Sequence, residues 1–203
     1  MARIGIMGGT FDPIHNGHLM LAKQAMGEYD LDEVWFMPSG HPPHKKDHAV
    51  TDANTRAEMV RLAIRGFSRF VCSEFEITRS GNTYTAQTLT LLKQEYPEDT
   101  FCFIIGADSL YQLERWYHPE IVMELAELLV AGRAYNQEHR DFGEQIAWLK
   151  SRYGAKIRPL HCGQMNIASA EIRQMVRDKK DIRALVPKAV ADYIKSRGLY
   201  AAD

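Results

Sequence analysis

One stretch of the chain concentrates the residues able to do chemistry: Gly8-Gly9-Thr10-Phe11-Asp12-Pro13-Ile14-His15-Asn16-Gly17-His18-Leu19. It follows an apolar run, Arg3–Met7, that reads as a strand, and it leads into a helical pattern from Gly17 to about Tyr29. Adjacent glycines let a backbone turn sharply and approach a ligand closely. A helix N-terminus offers unpaired N–H groups and the positive end of the helix dipole, a natural seat for phosphate. The glycines do not follow the spacing of a Walker loop or of GxGxxG, so the ordinary ATPase and dinucleotide readings fail. His15 and His18 stand three apart and share a face at a helix start. As a metal pair they lack a nearby third ligand. As phosphate contacts they suit a glycine turn at a strand end, because imidazole donates hydrogen bonds in either charge state.

Four further segments carry polar groups to loop or helix starts. Met37-Pro38-Ser39-Gly40-His41-Pro42-Pro43-His44-Lys45-Lys46 is a stiff loop bearing cations. Its composition alone reads as a solvated surface loop, or as an anion-binding lid. Ser80-Gly81-Asn82-Thr83-Tyr84-Thr85-Ala86-Gln87-Thr88-Leu89 holds more hydroxyls than helix capping needs. Phe101–Ile105 runs into Gly106-Ala107-Asp108-Ser109-Leu110, where Asp108 suits either a helix N-cap or a ribose contact. Trp116 offers a broad face for core packing or for stacking on an aromatic ring. Asn166-Ile167-Ala168-Ser169-Ala170-Glu171-Ile172-Arg173 opens a late helix, with small residues and an arginine one turn in, a pattern fit to cradle phosphate.

The elements that must position these residues alternate between strand and helix. Strands are expected at Arg3–Met7, Val34–Met37, Phe70–Phe75, Phe101–Ile105, Leu128–Ala131 and Lys156–Leu160. Helices are expected from Gly17, from a Thr55–Glu58 capping box through Ile64, over Thr83–Glu95, Pro119–Leu125 and Phe142–Arg152, from Ser169, and from Pro187 as first helical residue. Such alternation predicts an α/β fold with a doubly wound, mostly parallel sheet and a small C-terminal helical appendage. The near-continuous apolar run Phe101–Ile105 suits a strand covered on both faces.

The chain has 203 residues, expected to form a single domain (1–203) with 167–203 as its C-terminal helical part. Net charge is −1, so no global basic field points to nucleic acid or to an anionic membrane. Three dispersed cysteines exclude a CxxC metal or redox motif and suit a reducing compartment. No signal peptide and no membrane-length apolar run is evident, and a cytoplasmic protein is expected.

Gly8–Leu19 resembles the (T/H)xGH signature of nucleotidyltransferases. Its longer form, GGTFDPIHxGHL, is similar to that of bacterial nicotinate-nucleotide adenylyltransferases. The resemblance extends to MPxxxPPHK at Met37–Lys45, to S-Y-T-x-x-T-L at Thr83–Leu89, to FIIGxDSL…WY at Phe103–Tyr117 and to ISSTxIR at Ile167–Arg173. It runs from about Arg3 to Tyr200, and only faintly between Tyr135 and Pro159. The last motif departs twice: Ala168 stands where serine is usual and Ala170 where threonine is usual. Each missing hydroxyl forgoes roughly 0.5–1.5 kcal/mol of hydrogen bonding.

This resemblance implies a Rossmann-like nucleotidyltransferase fold and adenylyl transfer from ATP to nicotinate mononucleotide, giving deamido-NAD and pyrophosphate for NAD biosynthesis. It implies an ATP site of Gly8, Gly9, Thr10, Phe11, His15, His18, Gly106, Asp108, Ile167, Ser169 and Arg173. It implies a mononucleotide site of His44, Lys45, Tyr84, Thr85, Ala86, Trp116 and Tyr117. Since a phosphate nucleophile is already anionic, no side chain need deprotonate it, and catalysis reduces to positioning and charge stabilisation. His18 is then assigned to the α-phosphate, His15 to orienting the ATP phosphates, and Lys45 and Arg173 to phosphate charge. Mg²⁺ is expected to be held by substrate, with no protein metal site. Alternatives are another acceptor, nicotinamide mononucleotide or phosphopantetheine, and a non-catalytic nucleotide-binding protein. A homo-oligomer is left open, and neither nucleic acid nor membrane is expected as a partner.

Overall fold

A computed structural model describes residues 1–40, 50–132, 141–163 and 167–201. In chain order the elements are β1 (Arg3–Gly9), α1 (Asn16–Glu28), β2 (Glu33–Pro38), α2 (Ala53–Ile64), β3 (Phe70–Cys72), α3 (Thr85–Glu95) and β4 (Thr100–Gly106). Then come α4 (Ala107–Gln112), a 3-10 turn (Leu113–Arg115), α5 (Pro119–Leu125), β5 (Ala126–Ala131), α6 (Phe142–Tyr153), β6 (Ile157–Leu160), α7 (Ser169–Arg177) and α8 (Lys188–Ser196). The strands form one parallel sheet in the order β3-β2-β1-β4-β5-β6. The winding reverses at β1, the strand that delivers the glycine turn. In open α/β sheets, ligands bind outside the carboxyl ends of strands at such a reversal.

The chain divides into two compact units. The first comprises Met1–Met7, Leu21–Trp35 and Thr83–Gln164. Here Arg3, Ile4, Gly5 and Ile6 of β1 pair in register with Thr100, Phe101, Cys102 and Phe103 of β4, and β4 pairs in turn with β5 from Phe101–Ala126 to Gly106–Ala131. Phe101 to Ile105 are all buried, as a parallel strand with both faces covered requires. Gly5 makes the close packing possible, because a Cβ there would meet Leu31 Cδ1 at 2.7 Å.

The second unit comprises Gly8–Met20, Phe36–Asn82 and Met165–Asp203. Its apolar spine is a chain of rings, Phe11–Phe36–Phe70–Phe67, with α2 packed on α8. The C-terminal helices α7 and α8 therefore share a unit with the glycine turn.

Several local expectations are corrected. The N-cap of α2 is Asp52, whose side chain accepts from Thr55 N at 2.9 Å, so Thr55 lies inside the helix and the Thr55–Glu58 box does not form. A carboxylate is a better cap than threonine, and it holds its charge further down the pH scale through these same bonds. The strand expected over Phe70–Phe75 stops at Cys72, because a turn with Thr78 N on Glu74 O follows. Pro187 is the N-cap of α8 rather than its first helical residue. Tyr84 caps α3 by position only, so none of the preceding hydroxyls serves as a side-chain cap. Gly106, not Asp108, occupies the N-cap of α4, a short helix that the apolar pattern does not predict.

Candidate active site

In the second unit the glycine turn is held by its carbonyl groups. Gly9 O accepts from Ser39 N at 2.9 Å, Thr10 O from Arg56 Nη1 at 2.6 Å, Asp12 O from Arg173 Nη1 at 2.7 Å and Pro13 O from Ser169 Oγ at 2.9 Å. Asn16 N donates to Leu185 O at 2.9 Å, and its side-chain amide donates to Ala184 O at 3.1 Å. Four separate segments thus clamp one loop. A trans peptide's N–H points opposite to its C=O, so the clamped Gly9, Thr10 and Pro13 carbonyls turn the amides of Thr10, Phe11 and Ile14 away from the clamp, whereas Asp12 is followed by a proline with no N–H.

His15 and His18 are brought together, with ring centroids 3.7 Å apart and planes 27° from parallel. His15 is buried, and His18 is half-buried with its edge toward Phe11 at 5.0 Å. The His15 backbone N–H donates to His18 Nδ1 at 3.2 Å. Accepting there requires Nδ1 to be unprotonated, so a neutral His18 carries its proton on Nε2. Gly17 is needed beside them: a Cβ would lie 3.0 Å from His15 Nδ1 and 4.0 Å from Ile167 Cβ.

The other expected ATP-site residues divide by role. Gly8 is exposed, and Gly9 and Thr10 are half-buried. Phe11 has a φ of 52° and its ring is buried in the aromatic spine, so any nucleotide contact from Phe11 goes through its backbone. Ser169 spends its hydroxyl proton on Pro13, and Arg173 spends at least Nη1 on Asp12. Ala168 is the N-cap of α7 and provides no side-chain cap, so the departure from the family motif falls at the position where a hydroxyl is most useful to a helix. His44 and Lys45 lie outside the described residues.

A buried polar cluster beneath the turn is absent from the sequence reading. Asp12 and Arg56 are each 1% exposed. Asp12 Oδ1 accepts from Tyr200 Oη at 2.6 Å and Oδ2 from Thr51 N at 3.3 Å. Burial, with the Asp12 carboxylate beside it, pushes the Tyr200 hydroxyl far above its ordinary range. Burial lowers the Arg56 pKa, against the opposing pull of Asp12. A signal for Arg56 did exist: it occupies the first position of the apolar stripe Arg56, Met59, Val60, Ala63, Ile64 of α2, a cation where a hydrophobe is expected.

The first unit carries the remaining candidates. Thr85 and Ala86 start α3, whose first main-chain bond is Thr88 N to Tyr84 O. Their amides precede that bond and belong to the unpaired donors of a helix N-terminus. The Thr83 hydroxyl, just before them, is buried with no protein partner among the described residues. Gly106 ends β4, and a Cβ there would meet nothing within 4 Å, so packing does not explain the glycine. Asp108 is exposed in the first turn of α4, free of any capping duty.

Trp116 is half-buried, edge-on to Phe103 at 6.1 Å and 88°, and so is not a core residue. Tyr117 is 47% exposed, with its ring 4.5 Å from that of Tyr84. The turn that carries Trp116 is tied to α6, since Glu114 accepts from Trp148 Nε1 at 3.2 Å and Tyr153 Oη at 3.3 Å. Among the described residues no group of three His, Cys, Asp or Glu side chains is placed to hold a metal, and no helix is long and apolar enough to cross a membrane.

A sheet in this order, whose first strand feeds a clamped glycine turn and two stacked histidines, defines a nucleotide-handling α/β protein. The chain belongs to the cytidylyltransferase-like family, whose model matches residues 6–183. It is 42% identical over 200 residues to a protein of Lachnoclostridium phytofermentans named a probable nicotinate-nucleotide adenylyltransferase, covering 98% of this chain and 100% of that one. A protein of the same name from Moorella thermoacetica is 41% identical over 199 residues, covering 98% of this chain and 91% of its own. In fold, the chain is similar to the nicotinic acid mononucleotide adenylyltransferase of Plasmodium falciparum complexed with APC. That match has a TM-score of 0.80 at 22% identity and covers 98% of both chains.

Proposed function

We infer that the protein transfers the adenylyl group of ATP to nicotinate mononucleotide, releasing pyrophosphate and forming nicotinate adenine dinucleotide, a step of NAD biosynthesis. The observation that carries the reading furthest is the His15 N–H to His18 Nδ1 bond, which leaves the His18 proton on Nε2. That proton is the donor a pentacoordinate α-phosphate needs as charge builds on its oxygens. The end-to-end likeness to relatives named for this reaction supports the same choice of substrates.

In the reaction, a phosphate oxygen of the mononucleotide attacks the α-phosphorus. The bond from α-phosphorus to the bridging oxygen breaks, and pyrophosphate leaves with the electron pair. His18 donates to the α-phosphate, His15 orients the phosphate chain, and the amides of the Gly8–Phe11 turn bind its oxygens. Arg173 adds positive charge while holding the turn, and Lys45 is assigned to phosphate charge from the sequence motif. Gly106 admits the adenosine and Asp108 takes a ribose hydroxyl. Trp116 stacks on the pyridine ring, and the Ala86 and Tyr117 amides bind its carboxylate. Mg²⁺ would be held by substrate phosphate oxygens, not by a cage of side chains, and would supply charge neutralisation for the leaving pyrophosphate. We place the protein in the cytoplasm, with ATP and the mononucleotide as its partners and with a homo-oligomer open.

Pyrophosphate release with ATP and Mg²⁺, measured with nicotinate and nicotinamide mononucleotides side by side, tests the reading. Preference for the acid is expected. Equal use would keep the chemistry and remove the carboxylate contact. No release from a folded protein that still binds ATP would overturn the reading in favour of another acceptor or of a non-catalytic nucleotide-binding role, which the Ala168 and Ala170 departures would then explain.

A further inference from the structure

Arg56 is a full positive charge at a position built for a hydrophobe. Leucine or methionine would fill the α2 stripe without the cost of desolvating a guanidinium, which stays charged at any working pH. No Arg56 ion pair within 4 Å is found among the described residues. Its donors go instead to main-chain carbonyls: Nε to Thr51 at 2.7 Å, Nη1 to Thr10 at 2.6 Å, and Nη2 to Ser39 at 2.7 Å and Gly40 at 3.4 Å. These carbonyls come from three stretches distant in sequence: the glycine turn, the exit of β2, and the entry to α2. Thr51 is gripped at both ends, its N–H by Asp12 and its C=O by Arg56, so the acid and the base are linked through one residue without touching. Gly40 is confined to its place as well, since a Cβ there would sit 2.5 Å from Glu76 O.

The consequence concerns the other side of each peptide. With Thr10 C=O bound to Arg56, the Phe11 N–H points away from the guanidinium. With Gly9 C=O bound to Ser39 N, the Thr10 N–H is turned in the same manner. Ser39 is itself held, through its own carbonyl, by Arg56. One side chain thereby sets the direction of two successive amides of the turn.

We propose that Arg56 is a positioning residue for adenylyl transfer: without touching substrate, its buried guanidinium holds the Thr10 and Ser39 carbonyls and so aims the Thr10 and Phe11 amides at the ATP phosphates. The proposal rests on the phosphate-binding reading of the turn given above. A lysine can replace the charge but not the planar fork that spans carbonyls of three chain segments. Small misplacements of a phosphate-binding group cost heavily in rate.

The test uses Arg56→Lys and Arg56→Gln in the full chain, with Val130→Ala in β5 as a core variant that loosens the fold elsewhere. Melting temperature, equilibrium ATP binding by calorimetry, kcat and both KM values are measured for each, per folded molecule. Arg56→Lys is expected to weaken ATP binding about tenfold and to lower kcat/KM for ATP by about 10²-fold, with the mononucleotide KM held within about twofold. Val130→Ala is expected to lower the melting temperature and leave the kinetics unchanged. Wild-type ATP affinity and kcat in Arg56→Lys would overturn the proposal, as would equal losses for both substrates, or failure of both Arg56 variants to fold. If the wild type releases no pyrophosphate, the adenylyl-transfer reading fails by itself. Calorimetry then decides the positioning role: tenfold weaker ATP binding by Arg56→Lys sustains it, and unchanged binding, or none by the wild type, overturns it.

Discussion

Around the glycine turn, polar side chains are spent on main-chain carbonyls: buried Arg56 on Thr10, and half-buried Arg173 and Ser169 on Asp12 and Pro13. Around Tyr84, Trp116 and Tyr117 the arrangement is the reverse. The helix amides at Thr85 and Ala86 carry no side-chain cap, Tyr117 is largely exposed, and the rings touch only at edges and partial stacks. Under the proposed function, the difference teaches which part of the chemistry tolerates play. Phosphate transfer stabilises charge within a fraction of an ångström, and a turn held by charged donors keeps its shape when a ligand's charge arrives. Ring stacking and a carboxylate at a helix N-terminus are broad wells, served by surfaces that yield.

The sharpest way to break this contrast is His18→Ala. Loss of one transition-state donor is expected to lower kcat by about 10²–10³-fold while the KM values move little. A near-normal kcat in the folded variant would take His18 out of the chemistry. Tyr200→Phe comes next, since it removes the hydroxyl that Asp12 accepts at 2.6 Å. A bond to a buried carboxylate is worth about 1.5–3 kcal/mol, so urea unfolding should shift by that amount, with ATP affinity falling and mononucleotide affinity unchanged. A neutral result would mean that the C-terminal tyrosine plays no part in holding the turn.

Trp116→Ala probes the looser region. It is expected to raise the mononucleotide KM by roughly three- to tenfold, the loss of about 0.5–1.5 kcal/mol of stacking, at little change in melting temperature. Lost stability with an unchanged KM would make Trp116 a packing residue after all. The smallest effect belongs to Ala168→Ser, which supplies the N-cap that α7 lacks. A gain of about 1 kcal/mol in unfolding free energy is expected, with ATP binding improved at most severalfold. A loss of stability would show that the N-terminus of α7 is satisfied in some other way.

Strand and helix order, and the glycine turn between β1 and α1, were legible because they rest on local signals. Apolar runs of four to seven residues, a glycine pair and a histidine spacing are all read within one window of sequence. The smaller errors were local too, and came from rival local signals. Asp52 outcompeted Thr55 as a cap by lying one turn earlier, and Gly106 displaced Asp108 by ending β4. Trp116 was legible only as an alternative between core and ligand, and the structure places it half-buried and edge-on to Phe103.

The sequence by itself determined the α/β class, the family, the glycine turn and the histidine pair, because each is encoded by contiguous residues with strong intrinsic preferences. Tertiary structure alone decided what holds that turn. Arg56, Ser169, Arg173 and Tyr200 reach Thr10, Asp12 and Pro13 from 46 to 188 positions away along the chain. The His18 tautomer, likewise, depends on the angle at which His15 N–H meets Nδ1. No periodicity or composition encodes such pairings: a hydrogen bond is specific in distance and direction, and only the packed chain supplies both.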